Sequence, residues 1–406
     1  MALDTLIRVI DVQLKAEDCH VVYYVEDHET QCLWQGTPPK EGDVFVIDPT
    51  QPGKNARKIG EAIPGSWTAG NDALRWRQPV TPEGPSRMEI LRQRHIIRRA
   101  MRAYLDQQEF LEIDTPLLVR GASPDIAVES FSVGDRYLVS STEYQLKRLA
   151  VGGFTRIYSL TQNFRPGDKS QYRNPEFTML EWGRVGGDMR QIENDLEAMV
   201  ASALEQLHLP STINYQGRMI DLGRPWERLP VLAAIERITG VPMNDFDLDS
   251  CRKAASAAGM EIRPSFAEDR DFLFSLLMDF IQPQLGIERP IFLTEWPMFQ
   301  STSAGADPSD PTLANRSELF IGGIEISDGF AGLANVELQT HLFNYALALR
   351  AKEGQDIVAL DEKYLTAMRL GSPYGAGMAL GFDRLVMLLT NQSQINSVLA
   401  FGWDEL

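Results

Sequence analysis

Arginines and carboxylates recur in the sequence at spacings that could serve nucleotide chemistry. Arg165 lies in the segment NFRPGDKSQYRNPEFTMLEW, and Arg384 lies in GMALGFDRLVML. Glu318 and Glu325 stand seven residues apart in ELFIGGIE. A planar guanidinium can grip phosphate and carboxylate oxygens together, and hard cations such as Mg²⁺ prefer carboxylate oxygens. Taken alone, each of these residues is equally an ordinary surface charge, so the elements that carry them must be considered.

Three segments would have to position these side chains. The segment 110–118 (FLEIDTPLL) follows a predicted helix, and 163–182 is predicted as two strands joined by a polar loop, with Arg165 on the first strand. The segment 377–388 is a glycine-rich strand that runs into a helix carrying Arg384. Strands and helices mix along this part of the chain, which indicates an α+β fold.

The predicted helix before residue 110 has a clear start. Ser86 and Glu89 fit the Ser-x-x-Glu capping box, and apolar residues follow at helical spacing. The same helix carries Arg92, Arg94, Arg98, Arg99 and Arg102. We expect these arginines to form a solvated or interface face and not a track for phosphates.

Other common nucleotide and metal motifs are absent from the sequence. There is no GxxxxGK[ST] phosphate loop and no GxGxxG after an early strand, and the glycine-rich run 371–381 is weak evidence alone. Three cysteines and five histidines are scattered, without the spacing of a zinc site. A disulfide framework and a histidine-built metal centre are therefore not expected.

The bulk composition is that of a globular protein without membrane segments. The 406 residues are 44% hydrophobic and 23% charged, and the formal net charge is −17. No apolar run reaches the ~18 residues of a membrane span, and the N-terminus lacks the pattern of a signal peptide. We expect a cytoplasmic protein with no membrane partner. The acidic charge lowers the expectation of general nucleic-acid binding.

Residues 1–80 predict a small, barrel-like β domain. The predicted strands are Leu6–Leu14, His20–Asp27, Thr30–Gln35 and Asp43–Asp48. This segment holds 8 Lys+Arg and 12 Asp+Glu, whereas a barrel that reads oligonucleotides should be basic. A proline-rich linker at 78–85 leads into a second domain, 81–406. The role of the first domain is left open.

In this order, the segments 110–118, 163–182 and 377–388 look like motifs 1, 2 and 3 of the class II aminoacyl-tRNA synthetases. The resemblance covers about residues 86–406 and is closest to the lysyl group, through EFTMLEW and VGGF…NFR. FTMLEW, GMALGFDRLVML and VLAFGWDEL further resemble the shortened paralogues, the elongation factor P–lysine ligases, which modify a protein lysine instead of tRNA. Eighty residues before the catalytic part are few for a lysyl-type anticodon-binding domain and more than that ligase is expected to have.

The resemblance implies an ATP-dependent enzyme that forms an aminoacyl adenylate on a mainly antiparallel sheet flanked by helices. It also implies a homodimer, because motif 1 builds a two-fold interface in this family. The residues that it assigns to ATP are Arg165, Asn174, Phe177, Glu318 and Arg384, and those that it assigns to Mg²⁺ are Glu318 and Glu325. Arg165 and Arg384 are the expected catalytic residues, and Phe177 would stack on adenine.

The resemblance also implies an amino-acid pocket. Glu143, in STEYQLKRL, would hold the substrate α-amino group together with the backbone of Gly121. Glu181, in FTMLEW, would hold a side-chain amine, because a carboxylate is the natural partner of an ammonium group.

Several positions of that pocket depart from the family pattern. Gly183 replaces a tyrosine, Gly332 replaces a glutamate, Asp328 replaces an asparagine near the substrate carboxylate, and Ser327 replaces a glycine. These changes remove an aromatic wall and a negative charge, and Asp328 would repel a carboxylate unless a water, metal or amine intervened. We expect a bulkier or modified amino acid, or a β-amino acid. The alternative is a pocket that keeps lysine through Glu181 alone.

Four functions remain open from the sequence. The first is an adenylate-forming ligase that transfers an amino acid to a protein or small-molecule amine. The second is a tRNA-aminoacylating enzyme with a reduced anticodon domain, which the acidic N-terminal segment disfavours. The third is a non-catalytic regulator that binds an amino acid or a nucleotide, and the fourth is a biosynthetic amide synthetase. The residues assigned to ATP weigh against the regulator, because all of them are present.

Overall fold

The structure is a computed structural model of the 406-residue chain. It describes residues 5–15, 18–25, 28–35, 37–61, 76, 80–81, 84–167, 169–263, 266–301, 303–332 and 334–405. The chain divides into two compact units, residues 1–93 and 94–406. Within the described ranges, no helix combines the length and the apolarity that a membrane crossing requires.

The first unit contains a five-stranded antiparallel sheet. Its strands are β1 (Thr5–Lys15), β2 (Asp18–Val25), β3 (His28–Trp34), β4 (Val44–Ile47) and β5 (Arg57–Gly60), in the order β3-β2-β1-β4-β5. Alternate residues such as Ile7, Val9, Val21 and Tyr23 form its apolar core. The four predicted strands are confirmed. Strand β5 was not predicted, because it is short and mostly exposed, with Arg57 and Lys58 leading it.

The second unit is an α+β domain with thirteen described strands, eight of which form one large sheet. Its strands are β6 (Leu111–Glu112), β7 (Leu118–Val119), β8 (Ser132–Val133), β9 (Arg136–Leu138), β10 (Arg156–Phe164), β11 (Glu176–Val185), β12 (Thr212–Tyr215), β13 (Arg218–Asp221), β14 (Glu227–Pro230), β15 (Ile291–Pro297), β16 (Leu313–Ile321), β17 (Ile324–Ala331) and β18 (Gly375–Gly381). The large sheet has the order β14-β15-β16-β17-β18-β11-β10-β6. Among the strand pairs of this sheet that the structure describes, β14/β15 and β6/β10 are parallel and the others are antiparallel, so the predicted mixed, mainly antiparallel sheet is confirmed.

The helices are α1 (Arg87–Gln107), α2 (Glu143–Val151), α3 (Met189–Gln206), α4 (Val231–Thr239), α5 (Leu248–Ala257), α6 (Arg270–Ile281), α7 (Val336–Lys352), α8 (Glu362–Arg369) and α9 (Phe382–Leu389). Helix α3 begins with a capping box, in which Asp188 accepts a hydrogen bond from the backbone N–H of Gln191 at 2.8 Å. Its buried stripe packs on β16, β17 and β18, and Glu193 accepts a bond from Ser317 of β16. Helix α3 therefore covers the sheet face to which Ser317 points and does not cover the opposite face.

Helix α1 begins as predicted, with the Ser86 hydroxyl accepting a bond from the backbone N–H of Glu89 at 3.2 Å. The expectation of a solvated or interface face is wrong for Arg94, whose side chain is 12% exposed and lies 2.5 Å from the Asp383 carboxylate. Arg94 also donates to the Thr178 hydroxyl at 2.8 Å. The sequence did not indicate this pair, because Asp383 stands almost three hundred residues later in the chain.

Candidate active site

A cavity of about 300 Å³ opens on the face of the large sheet opposite α3. Its lining comes from within five segments: 119–128, 138–145, 165–181, 300–330 and 379–395. The predicted site residues that line it are Gly121, Glu143, Arg165, Asn174, Phe177, Glu181, Glu325, Ser327, Asp328 and Arg384. The fold thus brings together residues that the sequence spreads over more than 250 positions.

Strand register explains how these residues meet. One row of paired positions, here called the central row, consists of Ser159 on β10, Glu181 on β11, Ala379 on β18, Asp328 on β17 and Glu318 on β16. The next row, here called the glycine row, consists of Ile157, Gly183, Gly377, Phe330 and Arg316 on the same strands. Because side chains alternate along a strand, both rows face the cavity side of the sheet.

Arg165 and Phe177 lie together where β10 ends and β11 begins. The Arg165 Nε and Nη2 atoms donate to the carbonyl oxygen of Ser140 at 3.3 and 3.2 Å. Its guanidinium lies 5.3 Å from the centre of the Phe177 ring. These contacts fix the direction of the guanidinium while it still lines the cavity, which suits a group that must grip an anion in a set geometry.

Asn174 holds the loop between those two strands. Its side-chain amide donates to the carbonyl oxygen of Glu176 at 2.5 Å, and its oxygen accepts from the backbone N–H of Trp403 at 3.1 Å. The side chain is buried, although Asn174 contributes to the cavity lining. The first bond stays beside the loop, and the second ties Trp403 to the loop that follows Arg165.

Arg384, in the first turn of α9, lies beside Glu325. Its Nη1 donates to the carbonyl oxygen of Glu325 at 2.8 Å and lies 3.4 Å from Oε2 of the same residue. Strand β17 has a bulge here, because Phe320 pairs with Glu325 while Leu319 pairs with Ser327. The extra residue, Ile326, turns Glu325 to the same face as the central row.

Glu318 does not line the cavity and lies against Arg316. The Arg316 Nη2 lies 2.5 Å from Glu318 Oε1, and the same guanidinium holds Asp328. Burial would lower the pKa of Arg316, but the carboxylates of Asp328 and Glu318 raise it. Burial also raises the pKa of Asp328, and that of Glu318 well above its usual value, with Arg316 opposing both shifts. One guanidinium thus pairs with two carboxylates, of which Glu318 is buried and Asp328 is half-buried.

The acidic groups near Arg384 fit a cation shared with phosphates. Glu318 and Glu325 supply hard oxygen donors, and the excess of negative charge around Glu318 would be offset by a cation. In the part of the chain that the structure describes, no group of three or more histidine, cysteine, aspartate or glutamate side chains could hold a metal. Mg²⁺ at nucleotide sites is commonly bound by one or two carboxylates together with substrate phosphates.

The other end of the cavity surrounds Glu181. Its carboxylate accepts hydrogen bonds from the hydroxyls of Ser141, at 2.7 Å, and Thr142. Burial raises the pKa of Glu181, while the bonds from Thr142 and Ser141 lower it, and the net shift is upward. Glu143, at the start of α2, accepts from the Lys147 ammonium at 2.7 Å.

Gly121 lies where two chain segments come unusually close. A Cβ atom added there would stand 2.3 Å from the backbone nitrogen of Asp361, so only glycine fits. The neighbouring Ala122 N–H donates to the carbonyl oxygen of Ala359 at 2.9 Å. Glycine at this position therefore keeps a stretch of bare backbone at the edge of the cavity.

Ser327, although it borders the first cavity, and the two glycines Gly183 and Gly332 lie differently from the residues above. Ser327 is 2% exposed and alternates with Asp328, so its side chain points to the opposite face of β17. Gly183 and Gly332 line a second cavity of about 140 Å³ instead of the first. The second cavity shares Glu143, Glu181 and Asp328 with the first.

The sequence did not single out several residues that the structure places at the site. Arg316 lies two positions before Glu318, and this i, i+2 spacing on one strand could have indicated a shared face. Lys147 lies four positions after Glu143, the spacing of a helical ion pair. Asp383 gave no local signal, because it accepts from the backbone N–H of Thr178 on a distant strand.

Comparison with known proteins gives consistent matches. A family model described as "tRNA synthetases class II (D, K and N)" matches residues 75–405. The lysine–tRNA ligase of Chloroflexus aurantiacus is 36% identical over 323 residues, which is 78% of this chain and 65% of that protein. That of Carboxydothermus hydrogenoformans is 35% identical over 353 residues, or 84% and 71% of the two chains. That of Pelotomaculum thermopropionicum is 34% identical over 353 residues, or 84% and 69%.

These matches confirm the predicted family and agree with the predicted class of enzyme, a ligase that acts on an amino acid. They do not separate the elongation factor P–lysine ligases from other lysyl-type proteins, so that finer resemblance stays a prediction. The chain spans 65% of the length of the Chloroflexus relative. Since the family model covers most of the sequence, the chain belongs to the class II tRNA synthetase family of the aspartyl, lysyl and asparaginyl type.

Proposed function

We propose that the protein is an ATP-dependent, AMP-forming amino acid ligase. It activates the carboxylate of an amino acid as an adenylate and transfers the aminoacyl group to a protein or small-molecule amine. The observation that carries this proposal is the single cavity that gathers Arg165, Phe177 and Arg384 at one end and Glu143 and Glu181 at the other. The first group suits a nucleotide, and the second suits an amino group.

In the first half-reaction, a carboxylate oxygen attacks the α-phosphorus of ATP. The new P–O bond forms as the bond to the β-phosphate bridging oxygen breaks, and pyrophosphate leaves. Arg165 would bind the non-bridging oxygens of the α-phosphate and the attacking carboxylate, so its charge stabilises the transition state more than the ground state. Arg384 would hold the outer phosphates. Phe177 would stack on adenine, with Asn174 keeping the adjoining loop in place.

Mg²⁺, held by Glu325 and Glu318 together with the phosphates, would neutralise the charge of the leaving pyrophosphate. The Arg316 guanidinium occupies Oε1 of Glu318, so Oε2 would be the oxygen that this residue offers to the cation. Glu325, whose side chain is 39% exposed, is the more accessible ligand.

The substrate α-amino group would be held by Glu143 and the backbone at Gly121. Glu181 would face the substrate side chain. Asp328 need not repel the substrate carboxylate, since Arg316 already compensates its charge. Gly183 and Gly332 would leave space beyond Glu181, and Ser327 would act through its backbone.

In the second half-reaction, an amine nitrogen attacks the carbonyl carbon of the adenylate, and AMP leaves as the amide bond forms. A protein or small-molecule amine is supported by the acidic residues 1–80, with 8 Lys+Arg against 12 Asp+Glu, and by the resemblance to the elongation factor P–lysine ligases. The curated relatives, named lysine–tRNA ligases, favour the alternative, aminoacylation of a tRNA. We further propose a homodimer that acts in the cytoplasm.

The test is amino-acid-dependent exchange of pyrophosphate into ATP by the purified protein, with Mg²⁺ and a panel of amino acids. The panel holds the standard amino acids, both lysine enantiomers, β-lysine and ornithine-like analogues. Exchange with one compound supports the ligase, and charging of total tRNA would then identify a tRNA acceptor. If no compound gives exchange while calorimetry shows ATP–Mg²⁺ binding, the non-catalytic regulator is the better description.

A further inference from the structure

The second cavity extends the amino-acid end of the site. It lies past Glu181, and its apolar walls include Leu146, Ile157 and Phe330 together with the backbone of Gly183 and Gly377. Residues that line both cavities are Ser141, Glu143, Glu181, Asp328, Phe330 and Ala379. Because this boundary is shared, a side chain bound at Glu181 in the first cavity has the second directly beyond it.

The backbone does not require glycine at the two positions that keep the second cavity open. A Cβ atom at Gly183 would meet its nearest atom at 3.5 Å, and one at Gly332 would also meet its nearest atom at 3.5 Å, both ordinary van der Waals contacts. By contrast, a Cβ atom at Gly375 would stand 2.4 Å from the carbonyl oxygen of Arg184. Neither Gly183 nor Gly332 has a positive φ. The fold would therefore accept a Cβ atom at Gly183 and Gly332, and the effect of glycine at these positions is to leave the cavity open.

Lys147 brings a positive charge into the second cavity. Its side chain is 19% exposed, its ammonium donates to Glu143, and it lies 5.1 Å from the centre of the Phe330 ring. The ammonium nitrogen stands 3.6 Å from where a Cβ of residue 332 would be. Burial would lower the pKa of Lys147, but Glu143 raises it, so the group is charged. A charged donor in this place repels a second ammonium and favours a hydrogen-bond acceptor.

The carboxylate of Glu181 already has hydrogen-bond partners and does not require a cationic one. Both of its oxygens already accept hydroxyl hydrogen bonds, from Ser141 and Thr142. Its raised pKa means that burial disfavours the carboxylate form. A substrate side chain with a neutral N–H or with methylene groups can lie beside the Glu181 carboxylate. It does not need the ion pair that a substrate ammonium group would need there.

We propose, on the basis of the function proposed above, that the substrate is an α-amino acid with a long, uncharged side chain that ends in a hydrogen-bond acceptor. The side chain passes Glu181, fills the space left by Gly183 and Gly332, and places its acceptor near the Lys147 ammonium. Its apolar part contacts Phe330 and Leu146.

The test compares three probes in the pyrophosphate exchange assay: L-lysine, Nε-acetyl-L-lysine and L-2-aminononanoic acid. The second has the predicted neutral chain with an acceptor, and the third has an apolar chain of similar length. We expect kcat/KM for Nε-acetyl-L-lysine to exceed that for lysine by about tenfold or more, as the repulsion of a buried ammonium implies, and to exceed that for L-2-aminononanoic acid. Preference for lysine overturns this inference and leaves the ligase proposal standing. Absence of exchange with all probes and with the wider panel overturns both.

Variants locate the effect. Gly183→Tyr combined with Gly332→Glu refills the second cavity, and we expect it to lower exchange with Nε-acetyl-L-lysine and to raise exchange with lysine. Lys147→Met should remove the advantage of Nε-acetyl-L-lysine over L-2-aminononanoic acid. Gln206→Glu, on the exposed end of α3, adds a carboxylate away from both cavities and should keep the parent preference. If the refilled variant unfolds early, the Lys147→Met comparison decides alone, and an unchanged preference there overturns the inference.

Discussion

Arg316 holds Asp328 by both carboxylate oxygens, with Nε 2.9 Å from Oδ1 and Nη2 3.0 Å from Oδ2. The two residues lie on neighbouring strands and in different rows, so the guanidinium reaches diagonally from the glycine row to the central row. A third contact joins it to Glu318, which is 4% exposed. The positions of the Asp328 and Glu318 carboxylates therefore depend on the Arg316 guanidinium.

Replacing Arg316 should destabilise the fold strongly. Arg316→Met leaves the buried carboxylate of Glu318 and the half-buried carboxylate of Asp328 without the guanidinium, and we expect a loss of about 3–5 kcal/mol in the free energy of unfolding. Urea unfolding monitored by tryptophan fluorescence measures it. The triple change Arg316→Met, Asp328→Asn, Glu318→Gln removes the charges together and should recover part of the loss. A triple variant as unstable as the sum of its single changes would contradict this account.

Arg165 should matter for the chemical step and little for stability. We expect Arg165→Ala to lower the rate of pyrophosphate exchange by about 10²- to 10³-fold, the range seen when one preorganised transition-state donor is lost. Its melting temperature should stay near that of the parent, because within the described residues the guanidinium donates its hydrogen bonds to a single acceptor, the Ser140 carbonyl oxygen. Arg218→Ala, at an exposed position of β13, is the matched control. Equal exchange by the two variants would remove Arg165 from the proposed mechanism.

The Arg94–Asp383 pair should stabilise the protein far more than the more exposed pair that Arg102 of the same helix forms with Glu112. Its side chains are 12% and 2% exposed, whereas those of Arg102 and Glu112 are 37% and 35% exposed. We expect Arg94→Met to cost about 3–5 kcal/mol, because it leaves a buried carboxylate unpaired. Arg102→Met should cost at most about 1 kcal/mol. Chemical unfolding of both variants gives the comparison, and similar losses would contradict it.

Glu181 should make stability depend on pH. Burial raises its pKa, with Thr142 and Ser141 opposing and Glu143 adding to the rise. An acid whose pKa is raised on folding contributes stability that is full below its unfolded pKa and is lost as pH rises through the folded pKa. Glu181→Gln has no such loss. Its advantage in melting temperature over the parent should therefore grow as the pH rises above the ordinary pKa of a glutamate, and a difference independent of pH would refute this.

Local patterns predicted the fold well where the signal was local. The predicted helix after Ser86 and the four predicted strands of residues 1–80 match α1 and β1 to β4, because a capping box, apolar periodicity and turn residues mark their ends. The long-range pairs could not be predicted in this way. Nothing near Arg94 indicates Asp383, and nothing near Glu181 indicates that it shares a row with Asp328.

The candidate site was predicted as a set of residues but not as an arrangement. The bulge at Ile326 decides that Glu325 faces the cavity side, and a seven-residue spacing cannot show a bulge. Arg316 changes the interpretation of Asp328, from a group that repels a carboxylate to one that is already paired. Both corrections come from register, which depends on how whole strands align and not on any short segment.

In the proposed site, the separation of the two rows would set the length of the substrate side chain that fits. Residues two apart along a strand are about 7 Å apart, so about the same distance separates the central row from the glycine row. A substrate side chain that ends at Glu181 would reach only the central row. A side chain that reaches Gly183 in the glycine row would be several bonds longer. Length selectivity then depends on what stands at position 183 and, beside it in the same cavity, at position 332. Residues of graded size at these two positions would change the accepted side-chain length step by step, without a change at Arg165 or Arg384.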